Sequence, residues 1–188
     1  MPAFFLSFIT CLLVTLAGRD MLRMARLSGA LGGGGAGLHV AVWIASAATS
    51  ALAAWLGLLL APVMPPAGKQ MFVAIAMFVA ALELVILRAG PRPSEPTFSL
   101  GAILLVLLAA QATDAARFLL MALSLQTGNA VLAAVGGTLG SGAALSIAVI
   151  AGDRLEAGLP HRRAMTLAMA ALLALAAVLI DLSARQII

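Results

Sequence analysis

Two short stretches of this sequence place charge inside apolar runs: Asp20 and Arg23 in "GRDMLR", and Gln111, Thr113, Asp114 and Arg117 in "LLVLLAAQATDAARFLLMALS". A charged group at the centre of a membrane helix costs roughly 2.5–3.5 kcal/mol on insertion scales, so it persists where it is paired or functional. On a functional reading, carboxylates and polar side chains at such depth mark a path for an ion or a small solute. Arg23 and Arg117 each follow an aspartate by three residues, a spacing that lets side chains meet on one helical face. A second reading follows from that spacing: each Asp-x-x-Arg is a self-neutralising pair that merely lets its helix insert.

The elements that must position these residues are membrane helices. Of 188 residues, 63% are hydrophobic and 10% charged, against roughly 25% charged in soluble domains. Six runs come near the ~20 residues that cross about 30 Å of hydrocarbon: 3–18 with an extension past Asp20, 39–61, 71–87, 98–124, 130–150 and 165–182. They are continuously apolar rather than alternating, which excludes barrel strands. The connections carry the breakers, among them "SGALGGGGAG", "APVMPPAGK" and "RAGPRPSEP". The net charge of +4 comes from basic residues clustered between the runs without interleaved aromatics, so they act as topology signals and not as a nucleic-acid surface. Counting them by loop, with Arg19, Arg23, Arg26, Arg88, Arg92, Arg154, Arg162 and Arg163 on one side, puts both termini outside.

Other residues read as structural. Cys11, the single cysteine, lies in the first run and reads as packing; Glu83 is placed to snorkel from its helix toward Arg88. Asp181 sits near a helix end, and His39 and His161 lie at loop edges without a second ligand at metal spacing. "GGGGAG" lacks the Lys-Ser/Thr of a phosphate loop, and Gly136, Gly140 and Ala144 form a small-residue stripe suited to close helix packing. No Ser-His-Asp, Cys-His or paired-carboxylate arrangement supports an enzyme, and no cofactor is called for.

The chain also carries an internal repeat. A shift of 94 residues, half the chain, places Asp114 on Asp20, Arg117 on Arg23, Phe98 on Phe4, Pro96 on Pro2, Gly128 on Gly34, Pro160 on Pro66 and Met165 on Met71. Residues 1–90 and 98–188 then form two three-helix repeats joined by a linker at 91–97. An odd number of spans per half makes the halves insert in opposite orientations, the inverted-repeat plan of many secondary transporters.

On these residues the chain resembles the GDT-one family of small membrane cation/proton exchangers, also called uncharacterised protein family 16, which includes transmembrane protein 165. That family has two homologous three-helix halves, each with Glu-x-Gly-Asp-Lys/Arg-Thr/Ser in its first helix. The likeness spans nearly the whole chain and is clearest from "GAILLVLLAAQATDAARFLLMALSL" through the Gly-Asp-Arg-Leu turn of "AGDRLEAGLPHRR". Gln111 and Thr113 stand at the Glu and Gly positions of the second motif, Ala17 and Arg19 at those of the first, and only Asp20 and Asp114 carry over. The resemblance implies an all-α integral membrane protein of the cell membrane, with six transmembrane helices in two inverted three-helix repeats, exchanging Mn2+ or Ca2+ for protons. It makes Asp20 and Asp114 the metal ligands, with the carbonyl oxygen of Gln111 and the hydroxyl of Thr113 along the same cation path, because a hard cation takes several oxygen ligands and protons compete for its carboxylates. The protein's partners would be the lipid bilayer, the metal cation and protons; a homo-oligomer is compatible with the plan. The alternatives are a transport-incompetent structural or regulatory protein of the same fold and a LysE-like small-solute exporter.

Overall fold

The computed structural model describes residues 1–33, 35–87, 99–155 and 162–185. The linker at 91–97 lies outside the described residues, as do Gly34, Arg88, Arg92, Pro96, Phe98, Pro160 and His161. The described chain is all-helical: α1 (Pro2–Ala17), α2 (Arg19–Ala30), α3 (Ala36–Leu60), a 3-10 turn (Ala61–Val63), α4 (Pro66–Ile86), α5 (Leu100–Ala112), α6 (Ala115–Thr127), α7 (Ala130–Ala151) and α8 (Arg162–Ala184). Four helices, α3, α4, α7 and α8, are long and apolar enough to cross a membrane, or six spans exist if each bent pair counts as one. Large apolar side chains such as Phe5, Ile9, Trp55, Phe78, Leu172 and Leu175 point outward around the bundle. In water such a surface would drive association; hydrocarbon solvates it.

The first and fourth spans are not continuous as expected from their hydropathy. The α1–α2 pair bends by 62° and the α5–α6 pair by 57°. Gly18 turns the first to extended backbone (φ −73°, ψ 171°), and Asp114 does the same in the second (φ −84°, ψ 146°) after Thr113 leaves the helix. Each break frees backbone groups that hydrocarbon would leave unsatisfied. Neighbouring helices satisfy them: Thr166 Oγ1 donates to Ala17 O at 3.2 Å, Arg162 Nη2 donates to Gly18 O at 2.6 Å, and Ala115 N donates to Glu83 Oε2 at 2.8 Å.

Elsewhere the helix ends follow local chemistry. Pro2 and Pro66 open α1 and α4, where a missing N–H is harmless. Asn129 caps α7 by accepting from Leu132 N at 3.0 Å, and Gly128 ends α6 in the left-handed conformation at φ +66°.

The small-residue stripe of α7 packs on α1. A Cβ on Gly136 would collide with the Phe4 carbonyl, and one on Gly140 with the Phe8 carbonyl, so the two backbones touch one turn apart on each helix. Gly140→Leu is therefore expected to lower the melting temperature of the detergent-solubilised protein by the equivalent of about 1–3 kcal/mol of overpacking. Gly35→Ala, whose Cβ meets nothing within 4 Å, is expected to stay within about 0.5 kcal/mol of the parent. Melting curves in one detergent check both, and equal stability of the two variants would refute the contact.

Candidate functional site

The two helix breaks gather the charged residues. Asp20 lies in the first turn of α2, where the helix dipole favours a carboxylate, and is buried. Arg23, one turn later, donates from Nη1 to Asp20 Oδ1 at 3.1 Å with its own side chain 41% exposed. Arg19, at the start of α2, reaches the other way: its Nε lies 3.3 Å from Oε1 of Glu83 on α4. The second oxygen of Glu83 is the one that accepts from Ala115 N at the start of α6. Glu83 therefore ties both breaks together. Glu83, expected to snorkel toward Arg88, makes these inward contacts with Arg19 and the freed N–H of Ala115; Arg88 lies outside the described residues.

Among the described residues Arg117 is the most enclosed charge, only 4% exposed. Its guanidinium is held by three neutral oxygens from three helices, each at 2.7 Å: Nε to Thr49 Oγ1 on α3, Nη1 to Ser141 Oγ on α7, and Nη2 to Gln111 Oε1 on α5. The Thr49 hydroxyl in turn donates a hydrogen bond to Ala45 O at 2.7 Å. Asp114 makes no ion pair with Arg117 among the described residues, although the two lie within electrostatic range. The three-residue spacing fails here for a backbone reason. Asp114 is the extended residue before α6 rather than a member of it, so it does not share the helical face of Arg117. Asp20 is inside α2, and its pair with Arg23 forms.

Of the oxygens expected along a cation path, Gln111 is committed to Arg117, and the exposed Thr113 hydroxyl donates to its own helix at Ala109 O (3.1 Å) and Ala110 O (3.2 Å). Asp20 and Asp114 are within electrostatic range of each other but line different cavities. Among the described residues no three His, Cys, Asp or Glu side chains are grouped to hold a metal ion. His39 is half-buried at the start of α3, Asp181 pairs with Arg185 at 2.9 Å, and the buried Cys11 thiol faces Ala116 O at 3.7 Å.

Two cavities meet at Glu83 and Asp114. One, of about 530 Å³, is lined by both carboxylates and by Arg19, Arg26, Arg162 and Arg163. The other, of about 470 Å³, shares Glu83, Asp114 and Ala115 with it and extends past Thr49, Leu56 and Met121. Along α4 the second touches Val79 and the first touches Leu84 and Leu87, with Glu83 in both. The carboxylate pair thus belongs to the walls of both cavities, which meet at Glu83 of α4 and Asp114.

Glu83, Thr49 and Ser141 are the site residues that spacing did not reveal. A signal for the first was present: Arg19, a guanidinium inside the first span, needed a carboxylate beyond Asp20, and Glu83 was the one acidic residue of α4. Nothing marked Thr49 or Ser141 among the many small polar residues of their helices. Comparisons with protein families, with curated proteins and with solved structures find no match to the chain.

Proposed function

We propose that the chain is a small secondary transporter of the cell membrane, of the cation/proton exchanger type its sequence resembles, with Glu83 and Asp114 as the point of exchange. The observation that carries this reading is the shared wall: the same two carboxylates line both cavities, so a species held there can be passed from one cavity to the other. Residues 1–90 and 98–188 act as inverted three-helix repeats. In support, each half runs as a broken span followed by two continuous helices, and the extended segments lie beside aspartates 94 residues apart. The exchanged cation is of the Mn2+ or Ca2+ type, taken at Asp114 with Glu83 after Arg19 releases its carboxylate, and protons return on the same groups.

A second reading, a transport-incompetent membrane scaffold, has its own support. Asp20 is matched by Arg23, Glu83 by Arg19, and Arg117 is enclosed by neutral oxygens, so each charge has a local reason to be there. Vesicles reconstituted with the protein decide between them. Exchange predicts saturable Mn2+ or Ca2+ uptake above empty vesicles, with protons moving the opposite way. A rate equal to empty vesicles under proton gradients of both signs leaves the scaffold.

A further inference from the structure

A third cavity, of about 650 Å³, opens between α2 and α5 over Leu145 of α7, and contains neither Glu83 nor Asp114. Its polar end is formed by Asp20, Arg23 and Gln111, its apolar walls by Met24, Leu27 and Leu107. Asp20 is 8% exposed and Gln111 3%. Oδ1 of Asp20 receives Arg23, whereas Oδ2, equally buried, has no hydrogen-bond partner among the described residues. Gln111 shows the complementary deficit. Arg117 can only donate, so its bond to Oε1 fixes the amide orientation, and Nε2 is left as a buried donor without an acceptor.

A buried polar atom left unpaired costs about 1–3 kcal/mol, more when charged. One acceptor carrying negative charge and one neutral donor thus belong to residues that line a single cavity, and neither is satisfied by the described protein. Arg23 adds a third contact: one of its nitrogens is engaged by Asp20, and the rest of its half-exposed guanidinium is free to bind a carboxylate without breaking that pair.

We infer that this cavity binds a small zwitterion with an apolar body, its ammonium donating to Asp20 Oδ2 and its carboxylate accepting from Gln111 Nε2 and Arg23. A simple amine satisfies Asp20 and leaves Gln111 unpaired; a simple carboxylate does the reverse and approaches Asp20 with like charge. The apolar walls accommodate a branched aliphatic chain. The site is separate from the exchange point at Glu83 and Asp114, and its occupancy does not depend on cation flux.

The test uses the full chain in detergent, with melting temperature and calorimetric titration as readouts and three probes of one carbon skeleton: L-leucine, isoamylamine and 4-methylpentanoate. L-leucine is expected to bind saturably and raise the melting temperature, with each truncated probe at least about tenfold weaker, the equivalent of one lost charged contact. Asp20→Asn is expected to remove the preference for the zwitterion. Should that variant fail to fold, Leu107→Phe, which fills the apolar wall without touching the polar end, is expected to weaken L-leucine by a similar factor. No saturable binding of L-leucine, equal binding of all three probes, or binding undiminished in whichever of the two variants folds would overturn the assignment. Because no ion gradient is involved, a parent without metal flux leaves this result standing, and the converse also holds.

Discussion

Glu83→Gln is expected to bring metal-driven proton movement down to the level of empty vesicles, while the variant still elutes as a folded protein. The substitution keeps the size of the side chain and an oxygen for Ala115 N, so the break before α6 retains its backbone partner. What is lost is the negative charge shared by both cavities. Arg19, 3.3 Å away, is then left without its carboxylate in an enclosed position, and its charge repels any cation that approaches Asp114. A divalent ion needs the carboxylates to offset its dehydration, and a neutral amide does not supply that. Glu83→Asp, shorter but charged, is expected to keep measurable flux. Parent-like transport by Glu83→Gln, measured beside Glu83→Asp in the same vesicles, would remove Glu83 from the exchange point.

The second large effect lies at Arg117. Thr49→Val, Ser141→Ala and Gln111→Leu each remove one of three 2.7 Å contacts to a buried guanidinium. A hydrogen bond to a charged group contributes about 1.5–3 kcal/mol, and the desolvated cation keeps its cost when a partner disappears. Each variant is expected to lose stability in that range, measured by unfolding in mixed micelles. The same three substitutions made in an Arg117→Met background are expected to cost far less, since no charge is left to hold. Equal losses in both backgrounds would mean that the oxygens stabilise the helices independently of the guanidinium. The same geometry bears on restoring a carboxylate at position 111. Gln111→Glu would place its charge directly on Arg117 Nη2 and be neutralised there, so it does not create a metal ligand while the arginine remains.

The long helices were legible because hydropathy integrates over many residues. The runs at 39–61, 71–87, 130–150 and 165–182 match α3, α4, α7 and α8 to within a few residues at each end. The two breaks were not legible, although Gly18 and Thr113-Asp114 supplied the local means, because a hydropathy average does not register which peptide unit turns extended. Arg23 follows from its i,i+3 spacing because Asp20 is helical; Arg117 departs from the same spacing because Asp114 is not. The placement of Glu83 is a tertiary fact. Its partners, Arg19 and Ala115, are 64 and 32 residues away, and only the packing of α4 between the two breaks brings them within reach.

The bonds that satisfy the two breaks run crosswise. Ala17 and Gly18 at the first break are fastened by Thr166 and Arg162 of α8, the last helix, while Ala115 at the second is fastened by Glu83 of α4, the last helix before residue 88. Each portion of the chain holds shut the weak point of the other. The bonds that close each break come from the other portion, so a gene fragment encoding only one of them would leave those backbone groups unsatisfied. The same reciprocity makes the latches a matched set: slackening at Thr166 is felt at Ala17, slackening at Glu83 is felt at Ala115, and a movement of one portion against the other bears on both fastenings.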